Sequence, residues 1–144
     1  MRLVASLIAL ALAALATTAL AAEPPTRAQF IKRADALCRA YDDKEVKAAA
    51  PGFMTNATSI RKQGPKVLLL LRAKLADLRK LTPPAGDAAR LSGIWKLLEQ
   101  TVNAFAREIQ AERAGDWDPR RREIGAIRKK LEAATDRYGF IWCP

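Results

Sequence analysis

Histidine is absent from this chain of 144 residues, and cysteine occurs twice, as Cys38 and Cys143. Without histidine, the commonest general base is missing, and so is every Ser–His or Cys–His nucleophile pair. Two cysteines alone also provide too few ligands for a zinc site of the usual Cys/His type. We therefore expect no enzymatic activity, no catalytic residues, no bound metal and no cofactor.

Acidic residues are sparse, because 15 Asp and Glu stand against 25 Lys and Arg, which leaves a formal net charge of +10. The nearest approach to a catalytic carboxylate pair is Glu108 with Glu112, one helical turn apart, and we expect both to face solvent. Asp42, Asp43 and Glu45 lie close together but lack the Asp-x-Asp-x-Asp-Gly pattern of a calcium loop. They predict a solvated helix face.

The longest apolar run lies at the start of the chain. Arg2 precedes an alanine- and leucine-rich stretch that ends in Ala19-Leu20-Ala21, a small-x-small cleavage site. This pattern predicts a signal peptide over residues 1–22, cleaved after Ala21 or Ala22, and a bundle domain over residues 23–144. The stretch falls short of the roughly 20 strongly apolar residues of a membrane span, so we expect no transmembrane segment after cleavage. The predicted location is secreted, periplasmic or in the cell envelope.

If the protein is exported, the two cysteines are expected to form one disulfide, because cysteine pairs are oxidised outside the cytoplasm. Cys38 falls on the apolar stripe of the first predicted helix, and Cys143 is the next-to-last residue. A bond between them would close nearly the whole domain into one loop. The tail Phe140–Pro144 is too apolar to remain in water, and we expect it to run back along the first helix so that Cys143 reaches Cys38.

Helix signals mark the first half of the domain. Thr26 and Gln29 form a capping box before the first helix, and Pro51-Gly52 ends that helix. A second helix follows as far as about Leu81. Gly64-Pro65 lies inside it and either kinks the helix or marks a fresh start, with proline in the first turn.

The charges of the first helix also have a helical period. Asp35, Arg39, Asp43 and Lys47 alternate in sign at every fourth position. Side chains four residues apart are neighbours on a helix surface. The spacing therefore predicts a second, charged stripe beside the apolar one.

The second half of the domain carries equally clear signals. Asp87 is placed as the N-cap of a third helix that Gly115 ends, and Asp118-Pro119 begins a fourth. Gly139 suits a left-handed C-terminal cap. Four helices with short connections predict an all-α fold, a single up-down antiparallel bundle of about four helices. The first helix would be tied to the C-terminal tail by the disulfide.

Apolar residues recur at helical spacing and predict the inward faces. They are Phe30, Ala34, Leu37 and Tyr41 in the first helix, Val67, Leu68, Leu71, Leu75 and Leu78 in the second, Leu91, Ile94, Trp95, Leu98, Val102, Phe105 and Ile109 in the third, and Ile124, Ile127, Leu131, Ala134 and Tyr138 in the fourth.

Three motifs together resemble a family of small secreted α-helical bacterial proteins of unknown function. The motifs are Ala34-Asp35-Ala36-Leu37-Cys38, then Leu75-x-x-Leu78-x-x-Leu81-x-Pro83-Pro84, and finally Tyr138-Gly139-Phe140 ahead of Cys143. The resemblance spans most of the predicted mature chain. It implies export, a helical fold and the disulfide pair, and it implies no activity.

The second helix holds the residues that we expect to bind a partner. It carries a strong excess of basic residues, and the candidate anion-binding side chains are Lys62, Lys66, Arg72 and Lys80. Leu69 and Leu70 point away from the buried arc of this helix. Either neighbouring elements cover them, or they form an exposed patch for a partner.

These features favour a non-catalytic exported protein with a binding or structural role. Its basic face would suit an acidic envelope polymer, an anionic lipid surface or a protein partner. A holdase-type periplasmic chaperone is one alternative, and an enzyme is the other. Export argues against a nucleic-acid partner, and no zinc-finger or basic-zipper pattern occurs in the sequence.

Overall fold

The residues that the structure describes form a bundle of four helices joined in sequence order. The computed structural model describes residues 23–49, 51, 53, 57–115 and 119–143, with the backbone alone for 119–123. The helices are α1 (Arg27–Ala48), α2 (Ala57–Lys80), α3 (Ala88–Ala114) and α4 (Pro119–Tyr138). Each packs against the next helix along the chain. This arrangement confirms the predicted all-α, up-down fold.

The predicted helix termini are largely confirmed. The Thr26 hydroxyl accepts a hydrogen bond from the Gln29 backbone N–H at 3.3 Å, and the Gln29 side chain accepts one from the Thr26 N–H at 3.0 Å. This reciprocal pair satisfies two amide donors that the first turn of α1 leaves unpaired. Gly115 and Gly139 have φ of 78° and 101°, the left-handed conformation that ends a helix at low cost in glycine.

The alternatives left open at Gly64-Pro65 are resolved, because α2 begins at Ala57 and continues through Pro65. Proline has no N–H to donate to the carbonyl four residues earlier, so one helical hydrogen bond is missing there. Gly64 is the point of close approach to α3. A Cβ atom at this position would lie 2.8 Å from Cγ1 of Ile109.

The described residues form a core of two clusters. The larger contains residues from all four helices and the tail, with Phe30, Leu78 and Trp95 among them, and the smaller surrounds Ile60 and Phe105. Leu68 and Leu71 of α2 pack against both. All seven residues predicted to face inward from α3 are buried. Five of the other predicted core residues are only half-buried: Leu37, Leu68, Leu71, Ile127 and Ala134.

The C-terminal tail runs back along α1 as predicted. Cys38 and Cys143 form the expected disulfide, with their Cα atoms 5.3 Å apart. Asp35, which the sequence pattern placed on a charged stripe, is instead buried under the tail. Its carboxylate accepts hydrogen bonds from the backbone N–H groups of Ile141, at 3.1 Å, and Trp142, at 3.0 Å. The tail is therefore held by one covalent bond and by hydrogen bonds to a charged acceptor.

The expectation that the whole tail is buried is wrong. Phe140 packs against the ring of Phe30, with centroids 6.3 Å apart, and Cys143 is buried. Ile141 and Trp142 are 81% and 48% exposed. Because Asp35 binds the backbone of these two residues, their side chains are directed outward, and the Trp142 ring stacks under Arg39 at 4.9 Å.

Some expectations fall on residues outside the described part of the chain. They are the signal peptide over residues 1–22, Gly52 of the predicted Pro51-Gly52 break, the N-cap role of Asp118, and Pro144.

The disulfide should contribute strongly to stability. A closed loop of this length is worth about 4–5 kcal/mol in the chain-entropy model, out of a typical net stability of about 5–15 kcal/mol. We expect thiol titration of the unfolded, unreduced protein to find no free thiol, and reduction to lower the melting temperature by more than about 5 °C. The Cys38→Ser/Cys143→Ser variant is the control, because reductant should not change its melting temperature. Two titratable thiols, or a covalent dimer on a non-reducing gel, would contradict the intramolecular bond.

Candidate functional site

The bundle is open between its first and last helices. Within the described residues, no Cα of α1 lies within 8 Å of a Cα of α4. A cleft of about 320 Å³ lies between the second half of α1 and residues 124–132 of α4, and we call it the α1–α4 cleft. Its lining includes Val46 and Ala49 on the α1 side and Ile124 and Leu131 on the α4 side.

The floor of the α1–α4 cleft is apolar and comes from α2 and α3. Val67 and Leu71 contribute from α2, and Leu98 and Phe105 from α3. Leu98 belongs to the larger core cluster, whereas Val67 and Phe105 belong to the smaller one. The cleft therefore lies where the two clusters part, and the helix spacing leaves room above their boundary.

A buried lysine lies in one wall of the cleft. The side chain of Lys74 in α2 is only 5% exposed, and its Nζ lies 3.0 Å from Oδ1 of Asp42 and 2.9 Å from Oε1 of Glu45, both in α1. A buried ammonium group requires such charged partners, because its desolvation is otherwise very costly. Burial raises the pKa of the Glu45 carboxyl above its usual range, and the charge of Lys74 offsets part of this effect.

The opposite wall carries a weaker ion pair. Arg128 and Glu132 of α4 are one turn apart, with Nη2 of Arg128 3.7 Å from Oε1 of Glu132, and both are about half exposed. Glu132 also lines a smaller depression together with Asp42, so these two carboxylates flank the same gap from α4 and α1. The cleft thus combines an apolar floor with a charged rim, where carboxylates outnumber cations among the residues that the structure describes.

The second candidate surface is the outer face of α2, where the predicted anion-binding residues lie. All four of them, Lys62, Lys66, Arg72 and Lys80, are exposed. Lys80 forms an ion pair with Asp77 at 2.7 Å. In the part of the chain that the structure describes, the other three have no carboxylate within ion-pair distance. We call Lys62, Lys66, Leu69 and Arg72 the α2 outer face.

The two leucines proposed as a partner patch differ in exposure. Leu69 is 64% exposed, whereas Leu70 is half-buried. On a helix, Leu69 lies one turn from Lys66 on one side and from Arg72 on the other. One exposed apolar side chain therefore sits among cations, and Leu70 belongs to the flank of the helix.

Two expectations about acidic residues are wrong. Glu108 and Glu112 do not face solvent, because each is only 3% exposed. Asp42 and Glu45 do not simply line a solvated helix face, because both bind Lys74. Among the described residues, no group of three metal-binding side chains comes together.

A polar cluster joins three helices at the end of the bundle where α1 begins and α4 ends. Arg27 of α1 donates hydrogen bonds to both carboxylate oxygens of Asp87, at 2.7 and 2.6 Å, and the Tyr138 hydroxyl of α4 donates to Oδ2 at 2.9 Å. Asp87 stands at the predicted N-cap position of α3, but its side chain makes no capping hydrogen bond. The carboxylate is used instead to bind α1 and α4 to the start of α3.

This cluster shifts two pKa values in opposite directions. The hydrogen bonds from Arg27 lower the pKa of Asp87, because they stabilise its charged form. Burial, followed by the bond to Asp87, raises the pKa of Tyr138 to about 12. Both shifts favour an ionised Asp87 and a neutral Tyr138 near neutral pH, the forms that these hydrogen bonds require, so the cluster stabilises the bundle and offers no proton to exchange.

None of the described helices has an apolar stretch long enough to span a bilayer. Comparison with known proteins found no matching family model, and no significant match among curated proteins or solved structures. The resemblance in the three sequence motifs therefore stays a prediction.

The raised pKa of Tyr138 predicts a pH dependence of stability. Between about pH 10, where an unfolded tyrosine ionises, and pH 12, the folded protein keeps a proton that the unfolded chain loses. The free energy of unfolding should therefore fall over this range. Absorbance titration of tyrosinate should show one group that ionises near pH 12. This ionisation should be lost in the Tyr138→Phe variant and retained in the Tyr41→Phe variant. Ionisation of both tyrosines near pH 10 in the native protein would contradict the Asp87–Tyr138 hydrogen bond.

Proposed function

We propose that this protein is an exported, non-catalytic binding protein whose α2 outer face attaches to an acidic component of the cell envelope. The observation that carries the proposal is the set of three exposed cations, Lys62, Lys66 and Arg72, without ion-pair partners among the described residues. Cations that already have partners gain little from an added anion. These three cations can therefore interact at full strength with an anion of a partner.

The spacing of these cations supports a surface ligand. Residues 62 to 72 cover about 15 Å along a helix, at 1.5 Å per residue. Lys62 and Lys66 are one turn apart, and Leu69 and Arg72 continue the same side. A row of this length fits a repeated anion, such as phosphates or carboxylates along a polymer or on a lipid surface, better than one small anion.

Leu69 adds an apolar contact to the electrostatic one. An exposed leucine among lysines can enter the interface of a lipid surface while the cations bind head groups, as in interfacial amphipathic helices. Each basic side chain near such a surface contributes about 1 kcal/mol. The three cations of the α2 outer face thus contribute about 3 kcal/mol to the binding free energy, or about a hundred-fold in affinity.

The tests are vesicle binding and its salt dependence. Changing Lys62, Lys66 and Arg72 to glutamine should weaken binding to vesicles rich in phosphatidylglycerol by about 3 kcal/mol, or about a hundred-fold, at low salt. The difference should shrink as salt is added, since exposed charges are screened over about 10 Å at 0.1 M. Co-sedimentation at two salt concentrations measures both effects.

The matched control changes Lys96, Arg113 and Lys129 to glutamine, because these are exposed, lie off α2 and remove the same charge. It should bind nearly as the unchanged protein does. Equal loss in both variants would show that net charge alone acts. Equal binding by all three proteins at low salt would show that the basic surface has no part in attachment.

A further inference from the structure

The α1–α4 cleft has no part in the proposed attachment, and its chemistry differs from that of the α2 outer face. Among its described lining residues, the floor of the cleft is apolar and carboxylates outnumber cations at the rim. We propose that it binds a small amphiphile with an apolar body and one ammonium group.

The apolar body follows from the floor and the volume. The floor offers four apolar side chains where the two core clusters separate: Val67, Leu71, Leu98 and Phe105. A volume of about 320 Å³ lies at the small end of ligand pockets, which span about 300–1,000 Å³. An alkyl chain or a single ring system would cover this surface and remove it from water.

The ammonium group follows from the charges at the rim. Among the described lining residues, three carboxylates stand against two cations, which gives this part of the cleft an acidic excess in a chain of net charge +10: Asp42, Glu45 and Glu132 against Lys74 and Arg128. Asp42 and Glu45 together carry more charge than the one ammonium of Lys74 that they share. A second cation at the mouth would balance the surplus, whereas a carboxylate there would meet like charges.

The position of the head group follows from exposure. The side chain of Asp42 is 38% exposed, so it can accept a further hydrogen bond while it holds Lys74. Glu132 flanks the same gap from α4 and is 49% exposed. An ammonium group between these two carboxylates would leave its apolar body directed at the floor. Charge-assisted hydrogen bonds of this kind are stronger than neutral ones.

Calorimetric titration of the disulfide-bonded protein with decylammonium, decanol and decanoate tests this inference, since the three probes share one apolar chain. Decylammonium should bind at one site and more tightly than the other two. Its binding would act against the positive net charge of the protein, so it cannot arise from general attraction. Tighter binding of decanoate, equal binding of all three probes, or no binding of decylammonium would overturn the proposal.

Substitution of Asp42 tests where the ammonium group binds. Asp42→Asn should weaken decylammonium about tenfold, as expected for the loss of a charge-assisted hydrogen bond, and leave decanol unchanged. Asp43→Asn is the matched control, because it removes the same charge from the next residue, which is exposed and does not line the cleft. Equal effects of the two would overturn the assignment of the head group.

Glu132→Gln gives a second measurement on an exposed residue if Asp42→Asn disturbs the fold, and it should also weaken decylammonium selectively. Thr101→Leu adds apolar volume to the cleft floor and should reduce the binding of decylammonium and decanol alike. Unchanged binding of both probes in Thr101→Leu would place the site elsewhere and overturn the proposal. Because the α2 outer face is intact in every variant, vesicle binding should stay the same throughout.

Discussion

The bond between Cys38 and Cys143 is the constraint on which the rest of the structure depends. Helices α1 and α4 would be neighbours in a fully closed bundle, yet no Cα of one approaches within 8 Å of a Cα of the other in the described chain. The tail bridges this gap at one end, where Asp35 holds its backbone. Arg27 and Tyr138 add side-chain contacts around Asp87 at the same end. The bundle is therefore fastened at one end and open at the other.

This one-sided closure explains the placement of the two candidate surfaces. In the described part of the chain, α1 is fastened to α4 and its tail from Arg27 as far as Cys38. The second half of α1 stays apart from α4, and the α1–α4 cleft remains between them. The α2 outer face lies on a helix that is packed on both sides, so its exposed residues form a fixed row. Acidic and basic features thus occupy different surfaces of one small domain.

The helices and the core of α3 could be predicted from the sequence, because apolar spacing is a local property of each helix. The disulfide could be predicted because export to an oxidising compartment and a count of two cysteines leave one pairing. The partners of Asp35, Lys74 and Asp87 could not be predicted in this way. Each is a charged residue whose partner comes from an element distant in sequence, and the pattern of one helix cannot show what faces it. A signal was present for Lys74, since it falls on the apolar arc of α2 between Leu71 and Leu78. A charge on such an arc requires opposite charges on the neighbouring helix, and Asp42 and Glu45 provide them.

The most direct test of this account measures the separation of α1 and α4 near the tail. Nitroxide amino acids introduced without cysteine chemistry at the exposed positions Arg33 and Arg137 would report this distance by pulsed electron paramagnetic resonance. A second pair at Arg72 and Lys96 would report the packed α2–α3 contact. The account predicts a narrow distribution for both pairs in the oxidised protein, and after reduction a broad one for the first pair alone. An unchanged narrow distribution between Arg33 and Arg137 after reduction would contradict the claim that the disulfide holds the open bundle together.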